Sequence, residues 1–256
     1  QAPVSTYLPE LGASPVGSAT IRQLLNMQAN FMFSDKPKAD GQVQVDYIMG
    51  LGFLPRPPNY AGANGAYELL ENARPMGEHG GPFRYDNGST DALGWVLRRL
   101  TNRTLDQLIS EKIWAHLGAE QDASMLVDVA GIEWAGAGMA ACLRDFARLG
   151  EMFRNFGCVN GQQLIPKAVF AGLAQGGDPS VFAAGAGVPV GGSYRSQWWF
   201  NHDRHGSFGC RGQYGQRIWI APKAETMIAQ FAIDPTLTAL EPLRLRGFQA
   251  IADAVS

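Results

Sequence analysis

The sequence predicts a mixed α/β (α+β) protein: a largely helical region over residues 1–160, then a mainly antiparallel sheet with a closing helix over residues 161–256. Three observations predict it. Leu93, Val96, Leu97 and Leu100 recur at i, i+3, i+4 and i+7, the repeat of one helical face. Four strand-like runs, 197–200, 207–211, 217–221 and 226–231, follow one another with brief turns, the spacing of an antiparallel meander. Leu245, Phe248, Ala252 and Val255 then give a last helix able to lie across that sheet.

Taken in order, Ile21, Leu24, Leu25 and Met27 begin a short amphipathic segment. Residues 51–64 hold Pro55, Pro57 and Pro58 with Gly52 and Gly62, which favours an ordered but irregular loop. The stripe that begins at Leu93 belongs to a helix expected to start near Thr90. Thr104 with Gln107 three residues on is a capping-box pair, ahead of a helix that buries Leu105, Leu108, Ile109 and Ile113. Leu143, Phe146, Ala147 and Phe153 mark a third helix ending near Gly157. Gly and Ala dominate residues 183–192, a flexible connection into the meander.

Composition bounds the function. The 256 residues suffice for one large or two smaller domains, and 46% hydrophobic against 17% charged residues is a globular balance. A net charge of −2 without a long run of either sign argues against a nucleic-acid or acidic-membrane surface. With no apolar run long enough to span a bilayer, no membrane span is expected. Cys142, Cys158 and Cys210 are odd in number and lack zinc-ligand spacing, so free packing thiols are expected. The chain starts at Gln1 with no leader pattern, which leaves its compartment open.

Tyr85-Asp86-Asn87 is the strongest chemical candidate. A phenol and an amide two residues apart in a loop can face one cleft, the first exchanging a proton and the second donating to a carbonyl. On its own the triplet is equally a core tyrosine beside a turn-forming asparagine. His202-Asp203-x-His205 has the residue types of a metal site but no third ligand, and reads as solvated turn residues. His79 reads as a loop histidine on the way to Tyr85.

The stretch from Phe83 to Gly94 (FRYDNGSTDALG) resembles the tyrosine motif of class C β-lactamase-like serine hydrolases, a group of β-lactamases, carboxylesterases, peptidases and 6-aminohexanoate-dimer hydrolases. The likeness continues through residues 104–118, the turn Gly136–Gly138, residues 144–150 and residues 161–166, and upstream through residues 3–11 and 20–27. Gly209 to Gln216 and the pair Trp198-Trp199 look closest to the 6-aminohexanoate-dimer hydrolase branch. The resemblance implies a β-lactamase/transpeptidase-like sandwich and acyl transfer through a covalent acyl-serine, with no metal or organic cofactor. It implies proton relay by Tyr85 and substrate contact by Asn87. Ser207-Phe208-Gly209 stands where the family has Lys-Thr-Gly, and the backbone N–H of Cys210 is the expected oxyanion donor. The missing lysine argues against a true β-lactamase. Gly209, Gly212, Trp198, Trp199 and Tyr214 are the expected substrate-binding positions, and the substrate a small ester or amide.

The family's first motif, Ser-x-x-Lys, is absent. Three residues before Lys36, Lys38, Lys112, Lys167 and Lys223 stand Phe33, Asp35, Ile109, Leu164 and Ile220. An unassisted phenol titrates near ~10, so forming its anion at neutral pH costs roughly 4 kcal/mol. The residues as written are therefore expected to be inert alone, with the nucleophile on an amino-terminal segment preceding Gln1 that also covers the sheet. The rival expectation is a catalytically inactive family member that binds a ligand or partner through the same cleft.

Overall fold

The computed structural model describes residues 2–33, 42–185, 191–236 and 239–256, which form two compact units. The first comprises Gln1–Leu108 and Ser124–Ala140; the second comprises Ile109–Ala123 and Ala141–Ser256. The contacts thus divide the chain differently from the sequence reading at residue 160. The helix Leu143–Arg154 packs with the sheet and so belongs to its unit, although it reads as part of the helical region.

The first unit carries helices α1 (Pro15–Ser18), α2 (Ile21–Leu25), α3 (Gln42–Leu51), α4 (Ala66–Glu71) and α5 (Asn87–Thr101). Its two ribbons pair β1 (Phe31–Met32) with β2 (Arg74–Pro75), and β3 (Ser124–Met125) with β4 (Met139–Ala140). α2 opens on a full capping box between Thr20 and Gln23. Leu8, Leu11, Val16, Leu24 and Phe31 form the buried centre with Trp95 and Val96 from α5. Of the rest of the predicted stripe, Leu93 is half-buried against this core while Leu97 and Leu100 are exposed, so the buried face of α5 is narrower than the pattern implied.

The boundary between units falls within α6 (Leu105–Lys112), where the Gln107 side chain accepts the Thr104 N–H at 3.2 Å. In the second unit, α7 (Leu143–Arg154), the ribbon β5 (Cys158–Val159) with β6 (Gln162–Gln163), α8 (Lys167–Leu173) and α9 (Pro179–Ala183) lead to the sheet. That sheet is a five-stranded antiparallel meander, β7 (Ser193–Arg195), β8 (Trp198–Phe200), β9 (Phe208–Arg211), β10 (Arg217–Ala221) and β11 (Thr226–Gln230), closed by α10 (Glu241–Val255). Four of the strands match the expected runs. The fifth, β7, adjoins the Gly/Ala-rich tract that reads as a connection, of which residues 186–190 lie outside the described residues. Ser196 and Gln197 both take positive φ between β7 and β8, the two-residue hairpin turn that suits the twist of paired strands.

Alternation along the strands separates the faces of the sheet. One carries Phe200, Phe208 and Ile220 against Phe170 and Leu173 of α8 and Phe153 of α7. The other carries Trp219 and Ala221 against Phe248 and Ala252 of α10, as the terminal helix was expected to lie. No described helix is long and apolar enough to cross a membrane.

Candidate active site

Tyr85, Asp86 and Asn87 sit where a pinned loop meets α5. Asp86, rather than a residue near Thr90, caps the helix. Its carboxylate accepts the Ser89 N–H at 2.7 Å and the Ser89 hydroxyl at 2.9 Å, so helical geometry begins at Asn87. Asn87 is therefore the first helical residue. Tyr85 precedes the cap and is 45% exposed. Burial lifts the Asp86 carboxyl to about 6, opposed by Arg84 and by the hydrogen bonds from Ser89.

The loop before Tyr85 is held to residues 27–30. The Arg84 N–H donates to the Met27 carbonyl at 2.8 Å, the Gly80 N–H to Gln28 at 2.8 Å, and the Met76 N–H to Asn30 at 3.2 Å. His79 is one of these pins. Its Nδ1 accepts the Asn30 N–H at 2.9 Å, leaving Nε2 to donate to the Pro15 carbonyl at 2.9 Å. Both ring nitrogens are thus used in fixing the loop.

Behind the start of α5 lies a buried network that sequence reasoning missed. The Asp91 carboxylate accepts the Gly136 N–H at 2.8 Å and the Tyr47 hydroxyl, which in turn accepts the Trp134 Nε1–H at 2.7 Å. Burial raises Asp91 to about 7 and, together with the Asp91 charge, raises the Tyr47 phenol well above its ordinary value. A local signal for Asp91 exists: it is an acid one turn after Asn87, beside the apolar pair Ala92-Leu93. None exists for Tyr47 and Trp134, which come from segments distant in the chain.

The remaining candidates lie in the second unit, on β8, β9 and the β9–β10 turn. A Cβ at Gly209 would stand 2.1 Å from the Ile218 carbonyl oxygen, so the approach of β10 requires glycine there. Pairing of β9 with β8 covers Phe208 and Gly209, and pairing with β10 runs on through Cys210 and Arg211. Burial pushes the Cys210 thiol up to about 12, so it is protonated at neutral pH and is no nucleophile. Trp198 and Trp199 fall on opposite faces. Trp198 packs on Phe153 at 4.5 Å and Phe208 at 5.3 Å, inside the core. Trp199 meets Phe182 and Tyr194 edge-on and lies under the Arg211 guanidinium at 4.6 Å. Gly212 closes the β9–β10 turn by donating to the Gln216 carbonyl at 2.8 Å, and Tyr214 stands at its tip, 51% exposed with φ +57°.

His202 is exposed, as a solvated turn residue is expected to be, but His205 is not. His205 is buried and bonded to Asp253 of α10 at 2.8 Å, while the His202 Nε2 lies 2.6 Å from the Ser193 hydroxyl of β7. Asp203 accepts the Ser207 N–H at 2.9 Å and the Ser207 hydroxyl at 2.6 Å. Asp253 lies far along the chain from His205, so nothing in the tetrapeptide announces that partner. No cluster of metal-ligating side chains occurs among the described residues.

Residues 1–236 match the family model described as Beta-lactamase. The chain belongs to the beta-lactamase family. This beta-lactamase-family chain is 29% identical over 237 residues to a 6-aminohexanoate-dimer hydrolase of Paenarthrobacter ureafaciens, with 91% of it and 59% of the relative aligned. A solved Bacillus anthracis structure provisionally named a 6-aminohexanoate-dimer hydrolase is 33% identical, with a TM-score of 0.90 over 98% of this chain and 65% of that one. A penicillin-binding protein homologue from Caulobacter crescentus shares the fold at 15% identity, with a TM-score of 0.66 over 91% of this chain and 70% of that one. The chain thus spans less than two thirds of the length of the first two relatives, 59% and 65%.

Proposed function

We propose that the protein is a serine hydrolase that cleaves a small ester or amide through an acyl-serine intermediate. Tyr85 relays the proton, Asn87 orients the substrate, and the backbone N–H of Cys210 polarises the carbonyl. The serine and its lysine stand outside these 256 residues. The length of the two relatives beyond the aligned part leaves room for such a segment, which would be this chain's partner in the active enzyme.

The observation that carries the reading is the Asp86 cap. It fixes Asn87 at the first helical position and leaves Tyr85 on exposed, non-helical backbone two residues before it. In the reaction the serine Oγ attacks the acyl carbon and gives its proton to the lysine–Tyr85 pair. The leaving alcohol or amine takes that proton, and water then releases the acyl group by the same route in reverse. Gly209 lets β9 approach β10 closely at the residue before the proposed oxyanion donor. The names of the two relatives support an amide substrate, and the absence of a lysine at Ser207 supports something other than a β-lactam.

Fluorophosphonate labelling of the full-length protein tests this. A labelled serine is expected, together with p-nitrophenyl ester turnover that Tyr85→Phe lowers by about 10²- to 10⁴-fold without moving the melting temperature. A folded full-length protein that neither labels nor turns over would instead be a family member that only binds.

A further inference from the structure

Asp91 has no part in the chemistry above, yet it is tied to Asn87. The hydrogen bonds around it run in one direction, because an indole N–H and a peptide N–H only donate. Trp134 gives its proton to the Tyr47 oxygen, Tyr47 gives its own to one Asp91 oxygen, and Gly136 gives its N–H to the other. Both carboxylate oxygens are acceptors, so the network is complete when Asp91 is ionised. Gly136 in turn lies directly on Asn87. A Cβ there would stand 2.8 Å from the Asn87 Cβ and 3.1 Å from the Asn87 carbonyl oxygen. Asp91 and Asn87 are one helical turn apart and share a face of α5, and Gly136 touches both.

We propose that Asp91 is a positioning residue: its carboxylate draws the Gly136 turn onto α5, and that turn fixes the orientation in which Asn87 presents its side-chain amide. The inference rests on the reading of Asn87 as the substrate-facing amide. Protonation of Asp91 places a hydrogen where Tyr47 already points one, so one of the two loses its partner and the hold on Gly136 weakens. The groups that face Asp91 are Tyr47 from α3, Asp86 at the start of α5 and Asp128 from the loop after β3, and both carboxylates oppose its ionisation. Burial is the larger influence and brings its titration to about 7, where both forms are populated at neutral pH. Arg98, further along α5, is engaged by Glu133.

The test is the Asn87 side-chain amide resonance of the full-length protein, followed by NMR from pH 8 to pH 5.5. A shift with a midpoint near 7 is expected, and its disappearance in Asp91→Asn. An amide that does not respond, or that still titrates in Asp91→Asn because Asp86 drives it, overturns the inference. If Asp91→Asn does not fold, Tyr47→Phe removes a donor to the carboxylate and is expected to move the midpoint upward; an unmoved midpoint overturns it equally. In turnover, Asp91→Asn is expected to lose about 10- to 100-fold in kcat, the scale of a small misplacement. No further loss is expected when Asn87 is already alanine, whereas multiplying losses would mean a role unconnected with Asn87. A responding amide in a wild-type protein that neither hydrolyses esters nor labels would retain the positioning device and sink the hydrolase reading.

Discussion

The first unit buries Asp86 and Asp91 with mostly neutral donors around them, whereas the second surrounds Glu241 and Asp234 with arginines. Asp86 has Arg84 no nearer than 3.8 Å, and Asp91 has only hydroxyl and peptide donors among the described residues. Burial therefore wins, and both carboxyls rise, to about 6 and about 7. In the second unit Glu241 meets Arg211, Arg217 and Arg244, and Asp234 meets Arg244. Asp145 accepts from the Cys142 thiol, the Glu120 and Gln121 amides and Arg148, and falls to about 2. Fully paired acids act as fasteners. Acids left near neutrality by burial mark places where a proton can come and go, and here one caps the helix that begins with Asn87 and the other stands one turn into it.

Removing one fastener has the largest expected effect. Glu241→Gln leaves three arginines around one neutral amide and is expected to cost about 3–5 kcal/mol in thermal or urea unfolding. A loss well under that range would mean that water already solvates the cluster. The next effect is a divergence with pH. In an unfolded chain aspartate titrates near ~3.9, so acids raised to about 6 and about 7 favour the folded state in acid. That contribution fades as pH climbs through those values, by at most about 1.4 kcal/mol per pH unit for each group. Asp145, lowered to about 2, contributes above ~3.9 and loses its effect only as pH falls through about 2. From pH 5 to 8, exchange through global opening, corrected for its intrinsic rate, should speed up in the first unit, against the local tightening at Gly136, and stay unchanged in the second. Parallel behaviour would erase the contrast. Asp86→Ala is expected to cost about 1 kcal/mol through the lost cap, read as faster exchange at Ser89. The exposed pair Glu10–Arg99 sets the lower end: Glu10→Ala should leave the same melts unchanged, because solvent and salt screen an ion pair at the surface.

The contrast also explains what was legible in the sequence. Regular repeats are local, so β8 to β11 and α10 stand close to where alternation and helical spacing put them. The start of α5 was misjudged by three residues because the apolar stripe begins later than the cap, and Asp86 alone sets the end of the helix. β7 was missed because its first residue follows a tract whose composition reads as linker. Of the candidate site, Tyr85 and Asn87 are visible through an ordered series of motifs, and Gly209 through its neighbours. Of the supports proposed for Asn87, Asp91 leaves a local trace one turn further on, whereas Tyr47 and Gly136 meet it only in the folded unit. His205 misleads for the same reason, since its partner Asp253 lies 48 residues away.

The path of the chain through its two units, with boundaries after Leu108, Ala123 and Ala140, has a consequence for synthesis on the ribosome. When residues 1–108 have emerged, Asp91 still lacks Gly136, Arg98 lacks Glu133, and the Ala66 N–H lacks Asp128. Those partners arrive only after a stretch destined for the other unit has gone by. A nascent first unit therefore waits with polar ends exposed that its finished form buries, and folding vector and chain order are out of step. A ribosome stalled at residue 108 should present a loose intermediate, and one stalled well past residue 140 a closed unit.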